Sequence, residues 1–451
     1  MPRKLTASTD LSELGAAEAA SALSDGSISS EELVASCLER IAADEDRVRA
    51  WAFLDPEHAL QQARAADERR REGQALGALH GIPVGIKDII DTEDMPTENG
   101  TVLHAGRAPT EDASVVRMLR AAGAVIMGKT VTTELATYAP GKTRNPHNAE
   151  HTPGGSSSGS AAAVAARMVP LAIGTQTNGS MIRPAAYCGV VGFKPSFGLI
   201  SRHGVLRQSA ALDQMGVFAR SVEDAALLAE QLIGFDAHDP DTRPRARPLL
   251  RETAAQEPPI APHFAFVKTP VWKLADAESH EAFAELVSHL GDQVEEFQFP
   301  PEFKEAWKWH QTIMEADIAV NYEPEYERGK DKLSESLRGQ VERGRKVRAV
   351  EYNKARARIP ALNAVLKDMF DMRFEAILTP AATGTAPRGL ESTGSPTFCT
   401  FWTLCGMPAI TLPLMRGANG LPLGVQLVGP RGGDARLLRT ARWLVERVHR
   451  G

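Results

Sequence analysis

Apolar residues along the chain recur with two spacings, one typical of helices and one typical of short buried strands. Leu33, Cys37 and Ile41 follow one another at helical spacing, after a capping-box start at Ser29 and Glu32. Further helical patterns cover residues 58–72, 114–122, 161–168 and most of 280–370. Apolar runs bounded by glycine, proline or polar turns predict strands at residues 82–87, 124–127, 171–173, 376–378 and 409–412.

Strands that alternate with helices predict an α/β fold, with a mixed, largely parallel β-sheet sandwiched between helices. Residues 235–262 are rich in proline, aspartate and arginine, which predicts a surface excursion. The basic run from Arg338 to Arg358 is interleaved with Glu342 and Glu351, as is typical of a solvated helix face. Because no repeat or low-complexity linker divides the chain, we predict one large domain over residues 1–451.

Composition narrows the class of protein. The chain has 451 residues, of which 43% are apolar and 24% are charged, as in soluble globular enzymes. Its net charge of −6 gives no sign of a nucleic-acid-binding face, and no apolar run is long enough to span a bilayer. Residues 1–5 lack the apolar core of a signal peptide. We therefore expect a cytoplasmic protein without nucleic-acid or membrane partners.

The sequence indicates neither metal binding nor disulfide chemistry. The four cysteines form no CxxC pair and have no histidine at zinc-finger spacing, so we expect buried free thiols in a reducing compartment. No cluster of His, Asp, Glu or Cys has the spacing of metal ligands. The prediction is an enzyme without a metal or another cofactor.

Two short motifs match known patterns in letters but not in context. Residues 123–130 fit the phosphate-loop pattern GxxxxGK[ST], yet the four variable residues are Ala, Val, Ile and Met, which predict a strand. Residues 155–159 fit the GxSxG nucleophile elbow, which needs an apolar strand before it. The residues that precede it are loop-like. We discount both interpretations.

A third pattern covers more sequence. Two Ser- and Gly-rich turns, at residues 152–160 and 174–180, enclose an Ala-rich helix and a short apolar strand, which a flexible linker does not carry. Together with residues 183–189, this segment closely resembles the amidase signature family. The resemblance extends to Lys87 in a Gly-Ile-Pro context, to residues 212–216 and to residues 406–408. It spans nearly the whole chain and is weakest over residues 235–370.

The resemblance implies a fold and a set of catalytic residues. The family fold is one α/β domain, here with a signature core at about residues 75–230, a helical substrate-side segment at about 265–370 and C-terminal strands and helices at 371–451. Lys87 would be the base, Ser156 would bridge lysine and nucleophile, and Ser180 would attack the substrate. The backbone N–H groups of Thr177, Asn178 and Gly179 would line the oxyanion hole.

These roles agree with what amide hydrolysis requires. A serine must be deprotonated by a positioned base, and a lysine serves only if it is neutral at the working pH. Full burial lowers a lysine pKa by roughly 3–5 units. Lys87 ends an apolar strand, which favours burial, and Asp88 should point to the opposite face of that strand.

The chain also departs from the usual family pattern. It has Gln176 where most members have Asp, and Asn178 where most have Gly. Its arginine, Arg183, stands three residues after the nucleophile rather than two. This arrangement resembles the malonamidase branch, in which the arginine holds a substrate carboxylate, and urethane-cleaving amidases are also similar. The departures argue against the A subunit of glutamyl-tRNA amidotransferase.

Two substrate classes therefore stay open. If Arg183 is free, its planar fork should select a small acid such as malonamate. If a structural acid neutralises it, Phe401 and Trp402 should line an apolar pocket that suits aryl or alkyl amides, esters or carbamates. We favour the apolar pocket, in a monomer or homodimer whose partners are a small-molecule amide or carbamate and water. An inactive scaffold is a third hypothesis, which the intact triad disfavours.

Overall fold

The computed structural model describes residues 10–450. It contains an eleven-stranded β-sheet. Its strands lie side by side in the order β1-β3-β2-β4-β6-β5-β10-β11-β9-β7-β8. In chain order the strands are β1 Trp51–Leu54, β2 Pro83–Lys87, β3 Val125–Thr130, β4 Leu171–Gln176, β5 Val191–Lys194, β6 Gln214–Ala219, β7 Phe264–Val267, β8 Val294–Phe297, β9 Ala376–Pro380, β10 Ala409–Arg416 and β11 Pro422–Val428.

Helices pack on the sheet. Within residues 10–450 they are α1 Ala16–Asp25, α2 Ser30–Val48, α3 Pro56–Arg71, α4 Ser114–Ala121, α5 Ser158–Ala165, α6 Ile182–Cys188, α7 Val222–Leu232, α8 Leu250–Ala255, α9 Ala277–Leu290, α10 Ala306–Asn321, α11 Glu323–Gly329, α12 Glu335–Gly344, α13 Ala349–Met372, α14 Thr397–Leu404 and α15 Asp434–Arg450. Each strand that the sequence predicts is present, and the capping box of Ser29 and Glu32 starts α2. The α/β prediction is confirmed.

The sheet is mixed, as predicted, but it is not largely parallel. β2 pairs in parallel with β3 and β4, and β7 pairs in parallel with β8 and β9. The other six pairings are antiparallel. One of them is the hairpin of β10 and β11, whose connection contains Asn419 and Gly420, with φ of +77° at Gly420. This Asn-Gly pair is a hairpin signal that overrides the alternation of strands and helices.

The two discounted motifs have the predicted local structure. Residues 125–130 of the phosphate-loop pattern are the buried strand β3, and the side chain of Lys129 is inside the protein. The GxSxG pattern follows a loop rather than a strand and leads into α5. Neither segment has the backbone geometry that its motif needs.

Parallel strands β2 and β4 bring the predicted catalytic segments to one edge of the sheet. Ile86 of β2 is paired with Ile173 of β4, so Lys87 at the end of β2 lies beside the last residues of β4. The turn at residues 177–180 follows β4, and the loop before α5 contains Ser156. The carboxyl ends of parallel strands are a common location for active sites.

Two further predictions concern cysteines and membrane spans. All four cysteines are free and buried, as expected. No helix within residues 10–450 combines the length and the apolar character that a membrane crossing needs. The prediction made from residues 1–5 falls outside the residues that the structure describes.

Candidate active site

Lys87 is fully buried and hydrogen-bonded to two hydroxyl groups. Its Nζ atom lies 2.7 Å from Ser156 Oγ and 2.8 Å from Thr175 Oγ1. Burial holds the Lys87 pKa well below its ordinary value, and the negative charge of Asp213 opposes this shift. The site therefore favours the neutral amine, whose lone pair is available to a proton from Ser156.

Asp88 points away from Lys87, as the strand geometry predicted. Its Oδ1 atom accepts a hydrogen bond from the Glu98 backbone N–H at 3.1 Å. Burial raises the Asp88 pKa to about 6, against the opposing charge of Lys129. The Asp88 carboxylate is therefore directed to the Glu98 backbone and the charge of Lys129 rather than to Lys87.

Ser156 is held in a tightly packed loop. It follows a cis peptide bond after Gly155, and its carbonyl oxygen accepts from the Thr133 backbone N–H at 3.2 Å. A Cβ atom at Gly155 would lie 2.8 Å from Thr393 Cγ2 and 2.9 Å from Thr133 Cγ2, so a side chain does not fit there without movement of these neighbours. This packing places the Ser156 hydroxyl against Lys87.

Ser180 stands on the turn between β4 and α6, and its residue surface is 8% exposed. Gln176 stabilises the start of α6, because its Oε1 atom accepts from the backbone N–H groups of Met181 at 2.8 Å and Ile182 at 3.1 Å. An amide oxygen thus fills the acceptor role at a position where most family members have a carboxylate. Among the described residues Ser180 Oγ has no hydrogen-bond partner, so the expected contact from Ser156 to Ser180 is not formed in this structure.

The turn before Ser180 is fixed through its carbonyl groups. Thr177 O accepts from His310 Nε2 at 2.9 Å, and Asn178 O accepts from Thr403 Oγ1 at 2.5 Å. Gly179 O accepts from the Arg183 backbone N–H at 3.0 Å. Within residues 10–450 the N–H groups of residues 177–179 have no acceptor. They are the groups from which the sequence predicted an oxyanion hole.

The side chains of the same turn are also fixed. Thr177 Oγ1 donates to Asp213 Oδ1 at 2.6 Å, while Asp213 Oδ2 accepts from two backbone N–H groups, of Gln208 and Ser209. Burial raises the Asp213 pKa to about 6. The Asn178 amide contacts Tyr138 and Thr400 in the same way, at 3.0 Å and 2.7 Å. The turn therefore has few ways to move.

Arg183 is buried on α6 without an acidic partner. Its NH2 group donates to Gly155 O at 2.6 Å and to Thr393 Oγ1 at 3.2 Å. Its Nε and NH1 groups have no acceptor within the described part of the chain, and no carboxylate there forms an ion pair with it. Burial lowers the Arg183 pKa. The alternative in which a structural acid neutralises Arg183 is therefore wrong within residues 10–450.

Phe401 and Trp402 lie in the protein core instead of a substrate pocket. They are 1% and 0% exposed on α14, and their rings pack against each other and against Phe299. Phe303 and Trp307 complete this aromatic cluster around Phe401. Because the rings of this cluster pack against one another, we do not assign Phe401 or Trp402 to substrate binding. Thr400 and Thr403, on another face of α14, are the residues that reach the site.

Comparison with known proteins identifies the family of this chain. The amidase family model matches residues 32–438. The chain belongs to the amidase family.

Several relatives of this amidase are glutamyl-tRNA(Gln) amidotransferase A subunits. The subunit from Symbiobacterium thermophilum is 34% identical over 94% of both chains. The subunit from Chloroflexus aggregans is 45% identical over 53% of this chain, and the match spans only half of the relative's length.

Solved structures of amidases have the same fold. The peptide amidase from Stenotrophomonas maltophilia superposes with a TM-score of 0.82 at 30% identity, over 97% of each chain. A 6-aminohexanoate cyclic dimer hydrolase with bound substrate gives a TM-score of 0.87 at 25% identity, over 98% of each chain.

A cleft of about 170 Å³ opens beside the turn of this amidase. Its walls include the polar residues Thr175, Thr177 and Asp213 and the apolar residues Ile89 and Met215. No group of three or more His, Cys, Asp or Glu side chains in residues 10–450 is arranged to hold a metal ion. The cleft reaches the residues that contact Lys87 and the turn.

Sequence reasoning missed several residues around the site. Asp213 lies in the segment quoted for the family resemblance, but no role was given to it. Thr397, Thr400 and Thr403 recur every three positions in an otherwise apolar helix, which is a signal that could have found Thr400 and Thr403. His310 carries no sequence signal, because its contact with Thr177 joins residues 133 positions apart.

Proposed function

We propose that this chain is a serine amidohydrolase that cleaves carbon–nitrogen bonds through an acyl-enzyme on Ser180. The observation that carries the proposal is the buried Lys87 amine at 2.7 Å from Ser156 Oγ, in a site that lowers the lysine pKa. Lys194 is also fully buried with a lowered pKa, but it donates to Met407 O at 2.5 Å and to Gln214, whereas Lys87 contacts the hydroxyl of the signature residue Ser156. The position of Lys87 beside the turn that holds Ser180 makes this serine the nucleophile.

The proposed acylation moves one proton along three groups. Ser180 Oγ attacks the substrate carbonyl carbon and releases its proton to Ser156 Oγ, while the Ser156 proton passes to Lys87 Nζ. The resulting ammonium returns a proton through Ser156 to the leaving nitrogen, so that the C–N bond breaks and a neutral amine or ammonia departs. Water then attacks the acyl-enzyme by the same relay and releases the carboxylic acid.

Within residues 10–450 the N–H groups of Thr177, Asn178 and Gly179 have no acceptor, so they are available to stabilise the substrate oxyanion. As the carbonyl carbon becomes tetrahedral, its oxygen gains negative charge, which preorganised N–H donors stabilise. One such donor is worth roughly 10²–10³ in rate. Because the turn is already fixed by its neighbours, the donors need no reorganisation during the reaction.

Substitution of Ser180 tests the proposal. With the best substrate of the wild type, Ser180→Ala should lose nearly all activity and stay folded. Ser158→Ala is a matched control, because Ser158 lies in the same motif but its hydroxyl donates to Val131 O. Activity of Ser180→Ala above a few per cent of wild type would show that the nucleophile is another residue.

A second candidate concerns the substrate, and the surroundings of Arg183 favour it. Within residues 10–450 the buried Arg183 guanidinium has no carboxylate partner and its Nε and NH1 groups have no acceptor, so a substrate carboxylate bound beside it would neutralise its charge. Phe401 and Trp402 lie in the core, so neither residue lines an apolar pocket for the substrate. We therefore propose an acyl group that carries a carboxylate, as in malonamate, ahead of aryl or alkyl amides and carbamates.

A comparison of substrates separates the two classes. If Arg183 pairs with the substrate, malonamate should be preferred over an anilide or an aryl carbamate, and Arg183→Met should raise KM for malonamate alone. Arg183→Lys should recover little, because a lysine does not reproduce bidentate pairing. Efficient cleavage of uncharged aryl substrates, unchanged in Arg183→Met, would support the apolar class instead.

The amidotransferase relatives define the remaining alternative. We propose that the chain works alone, as a monomer or homodimer, because Gln176 and Asn178 differ from the pattern usual in the family. The purified chain should then hydrolyse small amides without added subunits. Glutaminase activity that appears only with amidotransferase partner subunits would favour the A-subunit function.

A further inference from the structure

Two helices that are distant in sequence hold the turn before Ser180 by hydrogen bonds to its carbonyl groups. α10 supplies His310, whose Nε2 atom lies 2.9 Å from Thr177 O. α14 supplies Thr403, whose Oγ1 atom lies 2.5 Å from Asn178 O. Neither helix belongs to the motif that carries the catalytic serines, and His310 lies in the segment where the family resemblance is weakest.

The donor in each contact is defined by chemistry. A carbonyl oxygen only accepts, so the proton of the His310–Thr177 contact is on Nε2. Burial lowers the His310 pKa to about 4, which keeps the ring neutral near pH 7. Thr403 Oγ1 is 2.5 Å from Asn178 O but 3.0 Å from Cys399 O, so its single proton is directed to Asn178. Gln176 Nε2 donates to the same hydroxyl at 2.9 Å, which leaves that proton free for Asn178.

A fixed carbonyl also fixes the N–H group of the same peptide unit. In a trans peptide the C=O of one residue and the N–H of the next point in opposite directions. The peptide units after Thr177 and Asn178 are trans. The N–H of Asn178 therefore points away from His310, and the N–H of Gly179 points away from Thr403.

Close packing holds the peptide units of this turn in one orientation. A Cβ atom at Gly179 would lie 2.8 Å from Pro396 Cβ and 3.3 Å from Cys399 Cβ, so α14 touches the turn at this residue. The Asn178 side chain is held on both ends by Tyr138 and Thr400. Rotation of either peptide unit would break a carbonyl contact and leave a buried acceptor without a donor.

We propose that His310 and Thr403 are positioning residues that aim the backbone N–H groups of Asn178 and Gly179 at the substrate oxyanion. The proposal rests on the proposed amidohydrolase function and adds two residues that act on the transition state through the backbone. They touch no reacting atom, and their effect is on kcat rather than on substrate affinity.

Four substitutions test the pair. His310→Leu and Thr403→Val remove the donor, whereas His310→Gln and Thr403→Ser keep one. Thr312→Val is the control on α10, because the Thr312 hydroxyl donates to Lys308 O in the same helix. For each variant, kcat and KM are measured with the best substrate of the wild type, together with the thermal midpoint.

The decisive readout compares two inhibitors. A trifluoromethyl ketone analogue forms a tetrahedral adduct with an oxyanion, whereas the corresponding alcohol does not react with Ser180 and has no anionic oxygen. Loss of one oxyanion donor costs roughly 10²–10³ in rate, and a misaimed donor should cost about 10- to 100-fold. We expect His310→Leu and Thr403→Val to weaken binding of the ketone by the same factor as kcat, with KM and the affinity for the alcohol nearly unchanged. The donor-keeping variants should recover most of the loss.

Other outcomes overturn the proposal. If kcat stays within a factor of two of wild type in both donor-removing variants, or if both inhibitors weaken equally, the two residues only support the fold. The ratio of the inhibitor constants does not depend on the folded fraction, and the isosteric Thr403→Val decides the question if His310→Leu does not fold. If the wild type itself neither cleaves amides nor forms an adduct on Ser180, the proposed function fails instead.

Discussion

Replacement of Lys87 by methionine should remove activity and increase stability at pH 7. The mechanism requires a neutral lysine, and in an unfolded chain a lysine has a pKa of about 10.4. Removal of its proton at pH 7 therefore costs about 4.6 kcal/mol of folding free energy. Methionine has a similar length and no proton to lose, so Lys87→Met avoids this cost.

The gain is reduced by the lost hydrogen bonds. Lys87 contacts Ser156 and Thr175, and each contact contributes about 1 kcal/mol. The net stabilisation at pH 7 is then about 2–3 kcal/mol. For a chain of 451 residues the unfolding entropy is about 0.9 kcal/mol/K, so the thermal midpoint should rise by about 2–3 °C.

The stability advantage of Lys87→Met over the wild type must depend on pH. Because the Lys87 pKa is depressed in the folded protein, the unfolded chain binds a proton that the folded chain has released, and wild-type stability rises with pH up to the unfolded pKa. At pH 9.5 the cost of the neutral lysine falls to about 1.2 kcal/mol, which no longer exceeds the lost hydrogen bonds. Calorimetry at pH 7 and pH 9.5 should show the advantage of Lys87→Met disappear.

Lys129→Met is the matched control. Lys129 is also buried, but its pKa is about 8 and its ammonium donates to Ile90 O at 2.5 Å and Thr97 Oγ1 at 2.6 Å. Its depressed pKa also costs about 3.3 kcal/mol of folding free energy at pH 7. Its charged ammonium makes three hydrogen bonds, each worth about 1.5–3 kcal/mol, which exceed this cost, so its replacement should lower the midpoint. If Lys87→Met lowers the midpoint at pH 7 as Lys129→Met does, Lys87 is a charged structural residue and the reasoning is refuted.

Three further predictions test the site. Ser156→Ala should lower kcat by at least about 100-fold, as expected when a proton relay is interrupted, and unchanged turnover would remove Ser156 from the mechanism. The kcat/KM profile should rise with pH as Lys87 becomes neutral. Asp213→Asn removes a negative charge that favours the Lys87 ammonium, so in this variant the rise should move to lower pH. A shift to higher pH would contradict the role of Asp213. Prolonged chelation should leave the rate unchanged, whereas a loss that zinc or manganese restores would contradict a metal-free relay.

The catalytic segments could be predicted because their chemistry is local. Lys87, Ser156 and Ser180 each stand in a short motif with a defined strand, loop or turn, and the structure brings these segments to one edge of the sheet. The parallel pairing of β2 with β4 also follows from the alternation of strands and helices. Residues that act through one motif are accessible to sequence reasoning.

The surroundings of the site depend on distant residues and could not be predicted in the same way. Aromatic residues look alike in a core and in a pocket, so only the packing of Phe299 against Phe401 and Trp402 shows that these belong to the core. Whether Arg183 has an acidic partner depends on all the neighbouring segments together, and within residues 10–450 it has none. The contact of His310 with Thr177 likewise depends on how α10 packs, which no local pattern encodes.

Identification of the covalently modified residue tests the central claim most directly. A fluorophosphonate reacts with an activated serine, and mass spectrometry of the intact chain and of its peptides shows how many adducts form and where. The account predicts one adduct per chain on Ser180, absent from Ser180→Ala and slowed in Lys87→Met. An adduct on Ser156, or a fully active enzyme that the probe does not modify, would contradict it.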